Sequence, residues 1–220
     1  MEPYGDHMKT FKRAAIAATI LTATLTSQSA MAAWSANVGL VSDYHFRGIQ
    51  QTESASASAG IDYAADSGFY VGAWTAEVED GLEVDLYGGY GLELESGITL
   101  DANFVSYQYT GDFDSAYNEI GVGAGYGLFS VGYVIGKWDG VVGNEAATEN
   151  DYSLVTVGVE KNGWSATIGS WGKDSDGEYG EIGYGTEVGG FDVGVGLVIS
   201  GGDLDDSESL YLSLSKSFEL

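Results

Sequence analysis

Apolar and polar residues alternate along most of this chain, in segments of about ten residues that short turns separate. Residues 190–200 show the pattern most clearly, because Val193, Val195, Leu197 and Ile199 alternate mainly with glycine and aspartate. A period of two residues indicates β-strands with one apolar and one polar face. Glycine, aspartate, asparagine and serine mark the turns between the segments. The pattern therefore predicts an all-β protein built from antiparallel strands.

Twelve strands are predicted, and ten is the alternative count. Their ranges are 35–46, 53–63, 68–78, 82–92, 97–109, 116–126, 128–138, 150–160, 163–173, 178–188, 190–200 and 207–218. The even-numbered connections between them are tight, whereas the odd-numbered ones are mostly longer and acidic. Transmembrane barrels have such short turns at the periplasmic rim and longer loops at the outer rim. An even strand count places both chain ends at the periplasmic rim.

A soluble β-sandwich would show the same alternation, but two features favour a single antiparallel transmembrane β-barrel. In nearly every segment the second face consists of glycine, serine, aspartate and glutamate, which are too polar and too small to fill a core. Aromatic residues also gather near the segment ends, as an interfacial girdle requires. They are Trp34, Tyr44, Phe46, Phe69, Phe104, Tyr126, Phe129, Trp138, Trp164 and Phe218. The expected location is the bacterial outer membrane of a Gram-negative cell.

The first 32 residues have the pattern of a cleaved export signal. A basic start at residues 8–13 precedes an apolar stretch at 14–25, and Ala30-Met31-Ala32 supplies the small residues that signal peptidase requires. A permanent N-terminal anchor is the alternative, but the apolar stretch is shorter than the ~18 residues that cross a bilayer. The predicted domains are a signal peptide at 1–32 and an outer-membrane barrel at 33–220.

The composition narrows the possible partners and cofactors. The formal net charge is −25, and the basic residues after Ala33 are only Arg47, Lys137, Lys161, Lys173 and Lys216. A nucleic acid is not expected as a partner, because neutralising phosphates requires clustered lysine and arginine. Cysteine is absent from the sequence, which excludes disulfides and thiolate metal sites. No cofactor and no bound metal are expected, since the acidic loops lack a complete calcium-binding pattern.

The candidate site lies on the inner face near the outer mouth. If the apolar positions of the first strand face lipid, then Asp43, His45 and Arg47 face the lumen. Those apolar positions are Val38, Leu40, Tyr44 and Phe46. The first inward residues of the fourth, sixth and tenth strands lie at a similar height. The predicted pore constriction therefore consists of Arg47, Glu83, Asp85, Glu119 and Glu181, with Asp43 and His45 beside it.

Two interpretations of this charged ring stay open. A ring of charges at a constriction selects ions by electrostatic focusing. Alternatively, Arg47 lies in a buried salt-bridge network that stabilises the barrel wall. The many inward glycines leave the pore size open as well. They either widen the lumen or allow bulky residues such as Tyr87 and Tyr107 to pack against the bare wall and close it.

Residues 36–48 contain the motif Ser-Asp-Tyr-x-Phe-Arg-Gly. This stretch resembles the opening strand of the TorF family of porin-like outer-membrane proteins. Residues 68–74 and 83–90 are similar to its next two landmarks. The Arg-Gly signature is fairly specific, whereas repeats of glycine and aromatic residues are generic to barrels. The resemblance implies an outer-membrane barrel with a channel function.

These observations predict a narrow pore for the passive diffusion of small hydrophilic solutes, with an acidic lumen that favours cations. A closed structural barrel and an outer-membrane hydrolase are the alternatives. An enzyme is not expected, because His45 is the only histidine after residue 33 and no Gly-x-Ser-x-Gly motif is present. The expected partners are outer-membrane lipid, lipopolysaccharide and the solutes. A monomer is expected, since the apolar outer face leaves no obvious subunit contact.

Overall fold

The computed structural model describes residues 32–141, 148–204 and 207–220. The predicted signal peptide therefore lies outside the described residues, apart from Ala32. The strands are β1 (Ala33–Val41), β2 (His45–Phe46), β3 (Ile49–Gln50), β4 (Ser56–Ala64), β5 (Phe69–Glu77), β6 (Leu82–Glu93), β7 (Ile98–Tyr109), β8 (Tyr117–Tyr126), β9 (Phe129–Trp138), β10 (Asn150–Lys161), β11 (Trp164–Lys173), β12 (Glu178–Val188), β13 (Phe191–Ser200) and β14 (Glu208–Glu219). No described helix has the length and apolarity that crossing a membrane would need.

Twelve of these strands form one closed antiparallel barrel. Each strand pairs with its neighbours in the chain, and β1 closes the sheet by pairing with both β4 and β14. This confirms the all-β fold and the count of twelve rather than ten. The connections after β4, β6, β8, β10 and β12 contain two to four residues. We call their end of the barrel the turn rim and the opposite end the loop rim.

The first predicted strand is too long. β1 ends at Val41, and residues 42–55, here called the inner segment, leave the wall and fold into the lumen as the β2–β3 hairpin. The expectation that Tyr44 and Phe46 face lipid is wrong, because Tyr44 packs with Ala76 and the ring of Phe46 lies 5.5 Å from that of Tyr107.

The backbone explains why the strand pattern ends there. The N–H of Ser42 donates to the carbonyl of Leu212 at 2.9 Å, which is the last wall contact on this side. Arg47 and Gly48 then adopt left-handed φ angles of 52° and 87°. A wall strand contains no such pair of residues, so the chain turns back on itself instead of continuing upward.

The outer surface of the barrel is apolar along its whole height. Large side chains such as Leu40, Leu86, Val157 and Leu212 are exposed there, and their neighbours in sequence point inward. Trp34, Phe69, Tyr126, Phe129, Trp164 and Phe218 are exposed near the turn rim. The predicted alternation of outward apolar and inward polar residues is therefore confirmed for most of the described strand positions, with inward apolar exceptions at Val105, Leu154 and Val198.

The lumen has two unlike halves. Toward the turn rim the inward residues are mostly glycine, serine, threonine and aspartate, and they are half-buried. Toward the loop rim the inner segment packs against inward tyrosines, which are buried together with several carboxylates. The candidate site lies in this packed half.

Arginine at an outward position should destabilise the barrel strongly. Val157 lies near the middle of β10 and is 45% exposed on the outer surface. We expect Val157→Arg to lower the free energy of unfolding by about 2–4 kcal/mol, because the bilayer midplane excludes charge. Urea unfolding in lipid vesicles measures this loss. Thr156→Arg is the matched control, since Thr156 faces the lumen, and an equal loss in both variants would contradict the assignment of faces.

Candidate constriction inside the barrel

The inner segment satisfies much of its own backbone although it has left the wall. The N–H groups of Gln51 and Thr52 donate to the carbonyl of Tyr44 at 2.7 and 3.3 Å. The N–H of Tyr44 donates to the Thr52 hydroxyl at 2.9 Å. Glu79 ties the segment to the neighbouring loop by donating its N–H to the carbonyl of Gln51 at 3.1 Å. These bonds allow a loop to be buried, because unpaired backbone groups would be costly there.

The tip of the hairpin requires glycine. A Cβ atom at Gly48 would collide with the side chain of Tyr179, and the left-handed φ of Gly48 disfavours other residues as well. The indole N–H of Trp171 donates to the carbonyl of Arg47 at 3.3 Å and holds the tip against β11. Arg47 and Gly48 therefore form the turn of the hairpin, and Arg47 also places a positive charge inside the barrel.

Arg47 forms a bidentate ion pair with Glu119 on β8. Its Nη1 and Nη2 atoms donate to Oε1 and Oε2 of Glu119 at 2.5 and 3.0 Å. The hydroxyls of Tyr107 and Tyr152 donate to the same carboxylate at 3.0 and 2.8 Å. Glu119 is only 2% exposed, so the ion pair is shielded from water and each carboxylate oxygen has two donors.

The charge of Arg47 is stable in this environment. Burial by itself would lower the pKa of Arg47, but the charge of Glu119 and its hydrogen bonds raise that pKa above the ordinary arginine value. The guanidinium carbon also lies 4.5 Å from the centre of the Phe46 ring, which is a favourable position for a cation. Arg47 therefore remains protonated and links the inner segment to the wall.

Glu83 and Asp85 project from β6 into the same packed half. The hydroxyl of Tyr44 donates to Oε1 of Glu83 at 3.4 Å. Burial raises the pKa of the Tyr44 phenol well above its ordinary value, and the charge of Glu83 adds to this, so the phenol stays a donor. The carboxyl groups of Glu83 and Asp85 are buried side by side and interact with each other.

Asp43, His45 and Glu181 form a second group rather than completing the ring around Arg47. Nε2 of His45 lies 2.8 Å from Oδ2 of Asp43. The hydroxyl of Tyr211 donates to Glu181 at 2.5 Å, and the Tyr211 ring lies 6.4 Å from that of His45. The seven predicted residues thus share the packed half, but only Glu119 bonds directly to Arg47.

The Asp43 carboxylate lies between a hydroxyl and the histidine. The hydroxyl of Ser42 donates to Oδ1 of Asp43 at 2.7 Å, and His45 contacts Oδ2. A nucleophilic triad requires the histidine between the hydroxyl and the carboxylate, so that the histidine can accept the hydroxyl proton. The order here is different, and in this arrangement His45 does not contact Ser42.

Five inward tyrosines lie across glycines of the adjacent strands. Tyrosine and glycine are direct partners in strand register, and a Cβ on the glycine would collide with the ring. The pairs are Tyr70 with Gly89, Tyr87 with Gly72, Tyr152 with Gly136, Tyr179 with Gly169, and Tyr211 with Gly196. The bare backbone of the glycine lets each ring cross its strand.

Four of these tyrosines reach a carboxylate on the strand beyond the glycine. Tyr70 donates to Asp101, Tyr87 to Asp62, Tyr152 to Glu119 and Tyr211 to Glu181. The hydroxyl of the fifth, Tyr179, is buried without a partner. Glycine in this wall therefore serves to bring a donor to a carboxylate two strands away.

Both interpretations of the inward glycines apply: some glycines allow a tyrosine to pack against the wall, and others widen the lumen. Tyr87 packs on a bare wall as expected, whereas Tyr107 faces Tyr117 and Asp85 in register instead of a glycine. Gly123 has only ordinary neighbours and leaves space in the half near the turn rim. Sequence reasoning missed Tyr44, Tyr152 and Trp171 as members of the site. An inward tyrosine opposite an inward glycine would have indicated Tyr152, but only once the register was known.

Comparison with known proteins places the chain among barrels. A family model described as "Bacterial protein of unknown function (Gcw_chp)" matches residues 25–181. No curated protein sequence matches the chain. The likeness to the TorF family rests on the motifs alone.

Among solved structures, the KdgM porin is similar with a TM-score of 0.56 and 8% identity, over 84% of this chain and 99% of that one. The KdgM porin in complex with disordered oligogalacturonate has a TM-score of 0.55 and 7% identity, over 84% of this chain and 99% of that one. A structure from work on the in-meso crystallization of membrane proteins has a TM-score of 0.58 and 12% identity, over 86% of this chain and 84% of that one. At these identities the likeness shows the fold alone.

Removing either partner of the central ion pair should be costly. We expect Arg47→Ala and Glu119→Ala each to lower the free energy of unfolding by about 3–5 kcal/mol, since each leaves a buried charge without its partner. The double variant should lose less than the sum of the two. Urea titrations of the four proteins form the double-mutant cycle. Strict additivity would show that the two side chains do not interact.

A methyl group on Gly136 should displace Tyr152. We expect Gly136→Ala to cost about 1–3 kcal/mol, because the added Cβ overlaps the tyrosine ring and forces it away from Glu119. Thermal unfolding followed by circular dichroism measures the loss. Gly123→Ala is the matched control, because its Cβ would meet only ordinary contacts. Equal stability of the two variants would contradict the packing of Tyr152 on Gly136.

Proposed function

This chain belongs to the Gcw_chp family of bacterial proteins of unknown function, and we propose that it is a porin-like channel of the bacterial outer membrane. The proposed channel is narrow and passive, admits small hydrophilic solutes and favours cations. The observation that carries the proposal is a closed wall with a continuous apolar outer surface around a polar, acidic lumen. The fold likeness to the KdgM porin and the motifs similar to the TorF family support it.

The proposed location in the outer membrane rests on the apolar outer surface of the barrel. A closed barrel pairs every wall strand on both sides, which is the condition for a β-structure to cross lipid. Exposed side chains such as Leu86, Ile120, Ile168 and Leu210 would be unfavourable in water as a continuous belt. Lipid and, at the loop rim, lipopolysaccharide are therefore the proposed surroundings, and the chain is proposed to act as a monomer.

The proposed preference for cations rests on the charges of the lumen. Asp62, Asp101 and Asp192 face the half near the turn rim, and the packed half adds the carboxylates of the candidate constriction. The positive charge of Arg47 is paired with Glu119. A cation entering this lumen is attracted at every level, although salt weakens the attraction over about 8 Å.

The same charges argue against an anionic substrate. The related fold of KdgM has been solved with oligogalacturonate, which is a chain of sugar acids. An acidic lumen would repel such a polyanion, because like charges in a narrow space are unfavourable. We therefore propose that this chain does not share that ligand.

A closed barrel is the second candidate, and the inner segment favours it. The segment fills the lumen near the loop rim and is held by the Arg47–Glu119 ion pair and by Trp171. On this reading the barrel opens only when the segment moves. We propose no enzymatic activity, because the order of Ser42, Asp43 and His45 does not suit proton transfer from the hydroxyl to the histidine.

Planar-bilayer recordings test the channel. We expect a small conductance whose reversal potential in a salt gradient indicates preference for cations. Arg47→Ala should raise the conductance, because the inner segment loses its main link to the wall. Lys137→Ala is the matched control, since Lys137 carries the same charge but is 48% exposed and pairs with Glu149 at the loop rim. A reversal potential that favours anions would refute the selectivity, and silence of all three proteins would favour the closed barrel.

A further inference from the structure

Lys216 places a positive charge on the outer surface of the barrel. Leu210, Leu212 and Leu214 precede it at alternate positions of β14 and are exposed on that surface, and Phe218 follows it in the same alternation. Because successive side chains of a strand point to opposite faces, Lys216 points outward as well. It lies three residues before the end of β14 at the turn rim. A basic residue therefore lies within an otherwise apolar surface.

The strand register places Lys216 deeper in the membrane than the nearest girdle residues. Lys216 is the partner of Val38 on β1, and Trp34 lies four residues nearer to the turn rim on the same face of β1. Phe218 lies two residues nearer to that rim on β14. Aromatic girdles mark the boundary between hydrocarbon and headgroups. The backbone of Lys216 is therefore on the hydrocarbon side of this boundary, and its ammonium group has to extend back toward the headgroups.

Two phenylalanine rings hold the ammonium group. Nζ of Lys216 lies 4.8 Å from the centre of the Phe191 ring and 5.6 Å from the centre of the Phe218 ring. A ring centre within about 6 Å attracts a cation. A ring nevertheless carries no net negative charge, and the ammonium group has three N–H donors. The two rings therefore fix the position of the ammonium group and leave its charge unbalanced.

The lysines at the two rims differ in their partners. Each lysine at the loop rim lies near a carboxylate, Lys137 near Glu149 at 2.8 Å and Lys173 near Asp151 at 3.9 Å. The two lysines at the turn rim, Lys161 and Lys216, have no ion pair with any residue that the structure describes. An anion that balances the charge of Lys216 would therefore come from outside the chain.

We propose that Lys216, Phe191 and Phe218 bind the phosphate of an anionic phospholipid in the periplasmic leaflet of the membrane. The ammonium group donates to the phosphate oxygens, and the acyl chains lie on the apolar wall at Val38 and Leu214. A zwitterionic phospholipid suits the site less well, because it brings a positive group of its own. The site rests on the proposed membrane location and does not depend on the proposed conductance.

The proposed lipid site spans the closure of the barrel. Phe191 is on β13, Lys216 and Phe218 are on β14, and Val38 is on β1. One bound lipid therefore contacts the first strand of the barrel and its last two strands at once. A ligand that binds only the folded state stabilises that state by mass action. The bound lipid should accordingly stabilise the closed barrel.

Native mass spectrometry of the full barrel in non-ionic detergent tests the site. The protein is titrated with dioleoylphosphatidylglycerol or with dioleoylphosphatidylcholine, which have the same acyl chains and differ in net charge. We expect the parent to bind the first phosphatidylglycerol more tightly than the first phosphatidylcholine. Lys216→Ala should weaken the binding of phosphatidylglycerol about fivefold, which is the contribution of one lysine near a membrane surface. Lys216→Arg should retain the binding, because a guanidinium group also binds phosphate.

Lys161→Ala is the matched control. Lys161 carries the same charge at the same rim and continues the outward alternation of Val155, Val157 and Val159, but it is the exposed last residue of β10. This variant should bind phosphatidylglycerol as the parent does. Equal affinity of the parent for the two lipids overturns the proposal, as does unchanged binding in Lys216→Ala. A loss in Lys161→Ala as large as that in Lys216→Ala also overturns it, because it would show a general effect of charge at the rim.

Solid-state nuclear magnetic resonance gives a second, direct measurement. The barrel is labelled with ¹⁵N at the lysine side chains and placed in vesicles of dioleoylphosphatidylglycerol, and the signal of Lys216 is identified by its absence in Lys216→Ala. We expect lipid phosphorus to dephase this signal, and a Lys216 signal without dephasing overturns the site. Failure of the parent to insert into the vesicles would instead refute the proposed location, and absence of conductance would refute the channel.

Discussion

The closed antiparallel ladder is the constraint on which the rest of the structure depends. Inside lipid each backbone N–H and C=O has to find its partner within the wall, and closure of β1 onto β14 and β4 removes the free edges. Once the ladder is closed, alternate side chains necessarily face outward. The apolar half of the sequence then covers the surface, and the acidic residues of the wall strands have few places other than the lumen and the rims.

Because many carboxylates lie inside the barrel, the interior also has to provide hydrogen-bond donors for them. Among the described residues of the packed half, Arg47 alone provides a permanent positive charge, so tyrosine hydroxyls supply most of the donors. Tyr152 crosses Gly136 to reach Glu119, and other tyrosines repeat the arrangement around the barrel. Glycine and tyrosine therefore act as pairs: one removes a side chain from the wall, and the other uses the space to carry a hydroxyl across it. This explains why a wall so rich in glycine is nevertheless well packed near the loop rim.

The inner segment shows where a strand pattern can mislead. Residues 42–46 continue the alternation of β1, and Tyr44 and Phe46 have the composition of lipid-facing residues. The left-handed pair Arg47-Gly48 nevertheless turns the chain inward, where the two aromatic rings pack on Trp74 and Tyr107. An apolar side chain gains as much from burial in a protein interior as from contact with lipid, so hydrophobicity alone does not distinguish the two. The Arg47–Glu119 ion pair decides between them, because it requires the tip to be inside.

The sequence by itself determined the wall: its strands, their approximate ends apart from the end of β1, and the face that each residue of a wall strand occupies. These are local properties, since a period of two residues and a turn signal can be read within a single segment. Only the tertiary structure decided which side chains meet. The pairing of Arg47 with Glu119, the separation of Glu181 from that pair and the crossing of glycines by tyrosines depend on the register of strands that are distant in sequence. Register changes every contact across the lumen while leaving the pattern along each strand the same.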